Sequence, residues 1–335
     1  MDTSFELSRR QLLAGAAALA AFGGNANGQT LEKIRYLTPF GYLMAFSASM
    51  YAQSGGFFAK EGLDVEIMGG RGSAMAVQQI SAGNVMVSRT GGTDLIKAAV
   101  KDPSIVAFAE IYQRDLFHVI SSQAKPINTP ADMAGKTIGI VSVGGATENI
   151  LTMMLTKSGI PSASVKRESV GNAPAAFEFI GQGRIDAFIA DSGTRAQLQL
   201  EAKPVHTWST DLIAPCPGQV YITSRKTIAE KPETLVRFLR GVQAALGALA
   251  GAKDLQPIIQ SMSAKYEIFE TKTPDKGLFV LKAAIESIRA PYRDKLASSP
   301  AIWQSTYDLM IQAKIIEPVA KPDFYTDAII KRAFG

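Results

Sequence analysis

Ile80-Ser-Ala-Gly83-Asn-Val85 and Ile180-Gly-Gln-Gly183-Arg-Ile185 are two copies of one short unit, set one hundred positions apart. The first is followed by an apolar stretch and then Arg89-Thr-Gly-Gly-Thr93, the second by an apolar stretch and then Asp191-Ser-Gly-Thr194. Each copy reads as a helix end, a glycine turn, a short buried strand and a polar loop that opens the next helix. Two such halves predict an α/β chain of two lobes with a cleft between them. Loops at the carboxyl ends of strands are where α/β sheets bind ligands.

Outward from this unit the alternation of strand, loop and helix continues. Ile34-Arg-Tyr-Leu-Thr38 predicts a first strand that opens into Pro39-Phe40-Gly41-Tyr42. Helical spacing of Phe46, Met50 and Phe57 predicts one helix over 45–60, ended by Gly62. A strand over 63–67 leads to Gly69-Gly-Arg71-Gly72-Ser73, with Ser73 as the expected N-cap of a helix through Ile80. Strand 84–88 leads to Gly91-Gly92, with Thr93 as the next expected N-cap. Two extended segments, 105–111 and 117–122, flank Tyr112-Gln113-Arg114-Asp115, which reads as the crossing to the second lobe. There the pattern restarts, with strands at 137–141, 165–170 and 185–190 and helices at 150–157 and 175–180. Pro215-Cys-Pro217 reads as the return linker and 219–223 as a strand going back. Helices at 232–249, 255–266, 276–288 and 302–313 are expected to pack on the first lobe.

Residues 1–28 read as an address and not as part of the fold. Arg9 and Arg10 precede an apolar run from Leu12 to Phe22, about the length of a secretion-signal core and short for a bilayer span. Ser8-Arg9-Arg10-Gln11-Leu12-Leu13 is similar to the bacterial twin-arginine export signal, and the alternative is an ordinary secretion signal with adjacent arginines. No later segment has about 18 uninterrupted apolar residues. Cys216 is the only cysteine, so no intramolecular disulfide is possible. The net charge of +5 is dispersed, without a basic run interleaved with aromatics, which argues against nucleic acid.

Three segments together carry a resemblance: Phe57-Phe-Ala-Lys-Glu-Gly-Leu-Asp-Val-Glu-Ile67, Ile127-Asn-Thr-Pro-Ala-Asp-Met-Ala-Gly-Lys-Thr-Ile-Gly139 and Gly181-Gln-Gly-Arg-Ile-Asp-Ala187. They resemble the NMT1/THI5-like family, with the sulfonate-, nitrate- and taurine-type substrate-binding proteins of ABC importers, over roughly 33–245. Met86 stands where the family pattern has Asp. The resemblance implies a type II periplasmic-binding-protein fold of two doubly wound α/β lobes, with 29–114 and 214–335 forming lobe 1 and 115–213 lobe 2. It implies hinge closure on one solute in the periplasm and delivery to an ABC importer permease, with a monomer expected and no cofactor or metal.

A ligand in the cleft needs donors aimed at it. Helix N-termini behind glycine loops supply backbone N–H groups, which singles out Gly72, Ser73, Gly91, Gly144, Gly145, Ala146 and Thr147. Arg71 and Arg89, with Thr90 beside it, stand in two of these loops, and a guanidinium can hold a carboxylate or sulfonate through two hydrogen bonds. Phe40, Gly41 and Tyr42, with Phe46, offer an aromatic wall, and Tyr112 and Gln113 lie at the proposed hinge. Asn172, Asp191 and Ser192 are polar groups at strand ends of the second lobe, and Asp191 suits an amine or other donor. The favoured ligand is a small organic anion, with a thiamine-type pyrimidine precursor as the alternative. An enzyme, such as a pyrimidine-precursor synthase, is disfavoured: the two histidines, His118 and His206, lie in separate segments, and no HExxH, CxxC or G-x-S-x-G pattern occurs. His118 reads as a strand residue and His206 as an interlobe or surface residue. A solute receptor that signals instead of transporting is the remaining class.

Overall fold

The computed structural model describes residues 30–335, so the expected export signal lies outside the described residues. Strand β1 (Glu32–Thr38) runs parallel to β2 (Leu63–Gly69) and β3 (Val87–Gly91). The helix expected over 45–60 is instead a 3-10 turn, Met44–Phe46, followed by α1 (Ser47–Ser54) and α2 (Phe57–Lys60). It breaks at Gly55-Gly56, where Gly56 takes φ +75°, a left-handed conformation that glycine enters without a Cβ clash. Helices α3 (Ser73–Ser81) and α4 (Gly92–Ala99) follow β2 and β3. Ser73 and Thr93 are not their N-caps. Both lie inside the first turn, and Gly72 and Gly91 take the cap positions without any side-chain bond.

After β4 (Ile105–Tyr112) the chain crosses to a second sheet made of β5 (Phe117–Ser122), β6 (Thr137–Ile140), β7 (Lys166–Ser169), β8 (Ala187–Asp191) and β9 (Val205–Ser209). Helix α5 (Ala146–Lys157) follows β6, α6 (Glu178–Gly181) precedes β8, and α7 (Ser192–Leu200) follows it. The chain then returns as β10 (Gln219–Ser224). The sheets have the same plan, β2-β1-β3-β10-β4 and β7-β6-β8-β5-β9. In each, three parallel strands meet one antiparallel strand, β10 or β5, that the chain supplies when it crosses over. The two copies of the glycine unit occupy equivalent places: Gly83 leads to β3 and Gly183 to β8, both with φ +70°. His118 is a strand residue of β5. His206 lies in β9 opposite Ser121, a strand whose polar Val-His-Thr-Trp-Ser sequence hides its alternation.

All eight residues of β4 are buried, although β4 is an edge strand. Its outer edge is covered by the segment 324–326: Ala107 N–H donates to Phe324 O and Thr326 N–H to Ala107 O, each at 2.9 Å. A covered edge cannot template pairing with another chain. The opposite solution appears at β7, whose Lys-Arg-Glu-Ser sequence leaves charged side chains on the rim of its sheet.

Six helices complete the chain: α8 (Arg225–Glu230), α9 (Pro232–Gly251), α10 (Gln256–Ser263), α11 (Pro274–Arg293), α12 (Pro300–Gln312) and α13 (Ala328–Phe334). Helix α9 lays its apolar stripe on α1 and α2. There the Phe238 ring sits 5.1 Å from Phe58, 5.4 Å from Tyr221 and 5.8 Å from Tyr36. The expectation that all the C-terminal helices serve the first lobe is corrected. Helix α11 packs along α7, and α12 along α5, so both also reach the second half. The buried face of α12 (Trp303, Thr306, Tyr307, Met310) joins an apolar cluster that includes Met153 and Met154. No helix among the described residues is long and apolar enough to cross a membrane.

Glu110 is fully buried in β4. One carboxyl oxygen accepts from Ser299 N–H at 3.1 Å and the other has no partner among the described residues. Burial, with the charge of Asp327 adding to it, pushes its pKa up to about 8 from an ordinary 4.5. The folded chain therefore holds this proton where the unfolded chain has released it. The contribution to stability is complete below pH 4.5 and is lost as the pH rises to about 8. Thermal melts are expected to show a midpoint that falls across this window. Glu110→Gln, which cannot ionise, is expected to make the fall shallower, most clearly between pH 7 and 8, above the raised values of Asp94, Asp115 and Glu270, and an equally steep fall there in the variant would remove Glu110 as its source.

Candidate functional site

Three loops of the first sheet meet at one end. After β1, Thr38 Oγ1 donates to Gly41 O at 2.5 Å, Gly41 N–H to Gly70 O at 2.9 Å, and Gly70 N–H to Thr38 O at 2.8 Å. Gly70 must be glycine here, because a Cβ would stand 2.3 Å from Thr38 O. Phe40 pairs by backbone with Arg71; Phe40 is 44% exposed and the Arg71 side chain is exposed too, so both stand at the outer lip. The Tyr42 ring packs 5.2 Å from Tyr266 and its hydroxyl donates to Ile67 O at 3.3 Å. The aromatic wall thus has a partner from the C-terminal half that local patterning did not show.

Arg89, at the carboxyl end of β3, is 1% exposed. Its guanidinium lies between the Phe46 and Tyr112 rings, 4.8 Å from each centroid. Nε donates to Gln219 Oε1 at 3.0 Å and Nη1 to Ala45 O at 2.9 Å. No carboxylate among the described residues lies within ion-pair distance of it. A buried cation without a counter-charge is costly to keep. Tyr112 donates to the same Ala45 carbonyl at 3.2 Å, which fixes its ring against the guanidinium. Thr90 follows Arg89 along β3 and so points to the other face; it is buried, with its hydroxyl unpartnered. Gly91 lies against Asp94. Burial raises the Asp94 carboxyl to about 6, against the pull of the Ser73 hydroxyl. Gln113 is not brought to this group: its amide donates to Asp294 at 3.0 Å, which braces the crossing against α11.

In the second sheet Asp191 caps α7: its Oδ1 accepts from Thr194 N–H at 2.7 Å and its Oδ2 from Asn172 Nδ2 at 2.7 Å. Asp191 N–H donates back to Asn172 Oδ1 at 3.3 Å. The two residues thus form one rigid element instead of two independent ligand groups. Each carboxylate oxygen still has acceptor capacity. The Ser192 hydroxyl donates to Leu116 O at 2.9 Å and keeps its acceptor sites, and that of Thr147 accepts from Val141 N–H at 2.9 Å and keeps its donor. Gly145 is the N-cap of α5, with no side-chain bond, and Ala146 begins the helix. Lys97 of α4 donates to Gly144 O at 3.1 Å, a direct tie between the two halves.

One participant went unread. Glu270 stands in a 3-10 turn (Phe269–Lys272) before α11, 5% exposed, and both of its carboxyl oxygens accept from Met44 N–H, at 3.2 and 3.3 Å. Burial raises its pKa to about 7, with the charge of Asp191 adding to the rise. Glu270 and Met44 are 226 positions apart, and no local pattern marks the pair. Among the described residues no group of three or more His, Cys, Asp or Glu could hold a metal. His118, lowered to about 4 by burial and then by the charge of Arg195, makes a hydrogen bond to Leu116 O.

Two equivalent sheets joined by two crossings, with loops from both at their carboxyl ends, define a two-lobed periplasmic-binding-protein fold. The chain belongs to the NMT1/THI5-like family, whose model matches residues 44–252. A formylaminopyrimidine-binding protein of Halalkalibacterium halodurans is 28% identical over 165 residues, 49% of each chain. The chain thus matches about half the length of that curated relative. The alkanesulfonate-binding protein SsuA from Xanthomonas axonopodis pv. citri, bound to MOPS, superposes with a TM-score of 0.64 at 15% identity. That alignment covers 87% of this chain and 96% of the other. A ligand-binding component of an ABC-type import system from Staphylococcus aureus, with zinc bound, also gives 0.64, at 14% identity, covering 91% and 99%. At these identities the structural likeness establishes the fold.

Proposed function

We propose that the chain is the solute-binding component of an ABC importer. It would work in the periplasm as a monomer, reach it by the twin-arginine route, and capture one small organic anion by hinge closure before handing it to a membrane permease. The observation that carries this reading is Arg89, a buried guanidinium clamped between Phe46 and Tyr112 with no carboxylate among the described residues within ion-pair distance. A sulfonate or carboxylate would supply the missing charge and accept from the rest of the guanidinium fork. Closure follows if the solute touches both lobes, because only differential contact shifts the equilibrium. In this reading 29–114 with 214–335 form one lobe and 115–213 the other.

A second reading has its own support. Asp191 offers acceptors at the second sheet's strand ends, and the relative's name specifies a formylaminopyrimidine. A thermal-shift panel of alkyl sulfonates, aromatic carboxylates, nitrate, taurine and aminopyrimidines on ligand-stripped protein separates the two. A true ligand at about 100 times its dissociation constant adds about 2.7 kcal/mol. Anion hits support the first reading, aminopyrimidine hits without anion hits support the second, and a blank panel contradicts both.

A further inference from the structure

Resting on the reading of this cleft as a solute site, we infer that Glu270 is a second specificity-determining residue. With Asp191 it selects solutes that present an N–H donor at the end away from Arg89. The inference starts from one turn of backbone. Arg89 grips the Met44–Phe46 turn through Ala45 O, and Glu270 grips it through Met44 N–H. Opposite charges are thus anchored on adjacent residues, yet no ion pair joins them.

Each charge is buried and lacks a counter-charge within ion-pair distance among the described residues. A carboxylate has about four acceptor sites, and here only backbone N–H groups reach it, those of Met44 and of Glu270 itself, which leaves acceptor capacity over. The nearby cations form no ion pair with it, and Lys276 acts on it only through its charge. Lys272, on the same turn, pairs with Glu267 at 3.4 Å, and Lys276 of α11 lies over the exposed Phe269 ring at 5.6 Å. From the second half the charge of Asp191 adds to the rise in the pKa of Glu270.

Two uncompensated charges of opposite sign beside one turn match a solute that carries both complements, an acceptor or anionic end for Arg89 and an N–H end for the acidic pair. Glu270 also lies beyond residues 44–252, outside the range that the family model describes.

The test is calorimetric titration of the full described chain with two matched probe pairs: taurine against ethanesulfonate, and 4-amino-2-methylpyrimidine against 2-methylpyrimidine. A site built to hydrogen-bond an N–H discriminates strongly against the analogue that lacks it. The expected result is that the amine-bearing member of at least one pair binds about tenfold tighter or more. In Glu270→Gln, which keeps an acceptor for Met44 N–H, that preference should fall to about threefold or less while the amine-free partner binds as before. Asp191→Asn should move the preference in the same direction, and serves if Glu270→Gln does not fold. An unchanged preference in both variants, or equal binding of both members by the wild type, overturns the inference while leaving the solute-binding reading standing. No binding by any probe, together with a blank thermal panel, overturns both.

Discussion

Arg89→Met is expected to abolish solute capture while leaving a folded protein. Methionine matches the length of the stem and keeps the contact with Phe46 and Tyr112, so the sandwich stays filled. What disappears is the charge and the fork of donors. Removing one partner of a buried charge pair leaves the other unpaired, which costs about 2–5 kcal/mol. A loss near 3 kcal/mol is a weakening of more than about 100-fold. The unliganded variant loses the hydrogen bonds to Gln219 and Ala45 but also sheds an uncompensated buried cation, so the melting point should move little. Calorimetric titration beside a thermal melt checks this. Wild-type affinity in a folded variant would remove Arg89 from the site.

Gly218→Ala is expected to have the largest effect on stability of any single methyl addition near the cleft. A Cβ at 218 would stand 2.0 Å from Arg114 O, 2.7 Å from Arg114 C and 3.0 Å from Tyr112 O. All three are backbone atoms, so no side chain can swing away. Gly218 N–H also donates to Tyr112 O at 3.0 Å, which is where the outgoing crossing and the returning strand touch. Relief requires the two crossings to separate. Overpacking against fixed atoms costs typically 1–3 kcal/mol, and this case belongs at or above the top of that range. For a chain of this size about 3 kcal/mol lowers the melting midpoint by roughly 4–6 °C. A midpoint within about 1 °C of the wild type would show that the crossings are not held together at this point.

The fold was legible because its deciding signals are local. A glycine with positive φ, a short apolar strand and a polar loop recur at Gly83 and Gly183, and the structure places both before the third strand of equivalent sheets. Helix breaks and caps were less legible. Gly55-Gly56 interrupts a periodic run, and Gly72 displaces Ser73 from the cap because the backbone there needs φ +139°.

In the candidate site, sequence reasoning found the strand-end residues but not their obligations. Ser192, Thr147 and Gln113 are polar and well placed by position, yet each is engaged by the protein itself. Asp191 and Asn172 satisfy one another. Tyr266, Gln219 and Glu270 come from the C-terminal half, and only tertiary packing brings them to residues 42, 89 and 44. Read as helices of the first lobe alone, α11 and α12 give no hint that the segment before α11 reaches the turn at Met44.

The measurement that tests the central claim most directly is calorimetric titration of unfolded, washed and refolded protein with the solute giving the largest thermal shift. The account predicts one solute per chain, a dissociation constant of about micromolar or tighter, and no measurable heat with Arg89→Met. Binding that is absent in the wild type, or that survives intact in the variant, would contradict it.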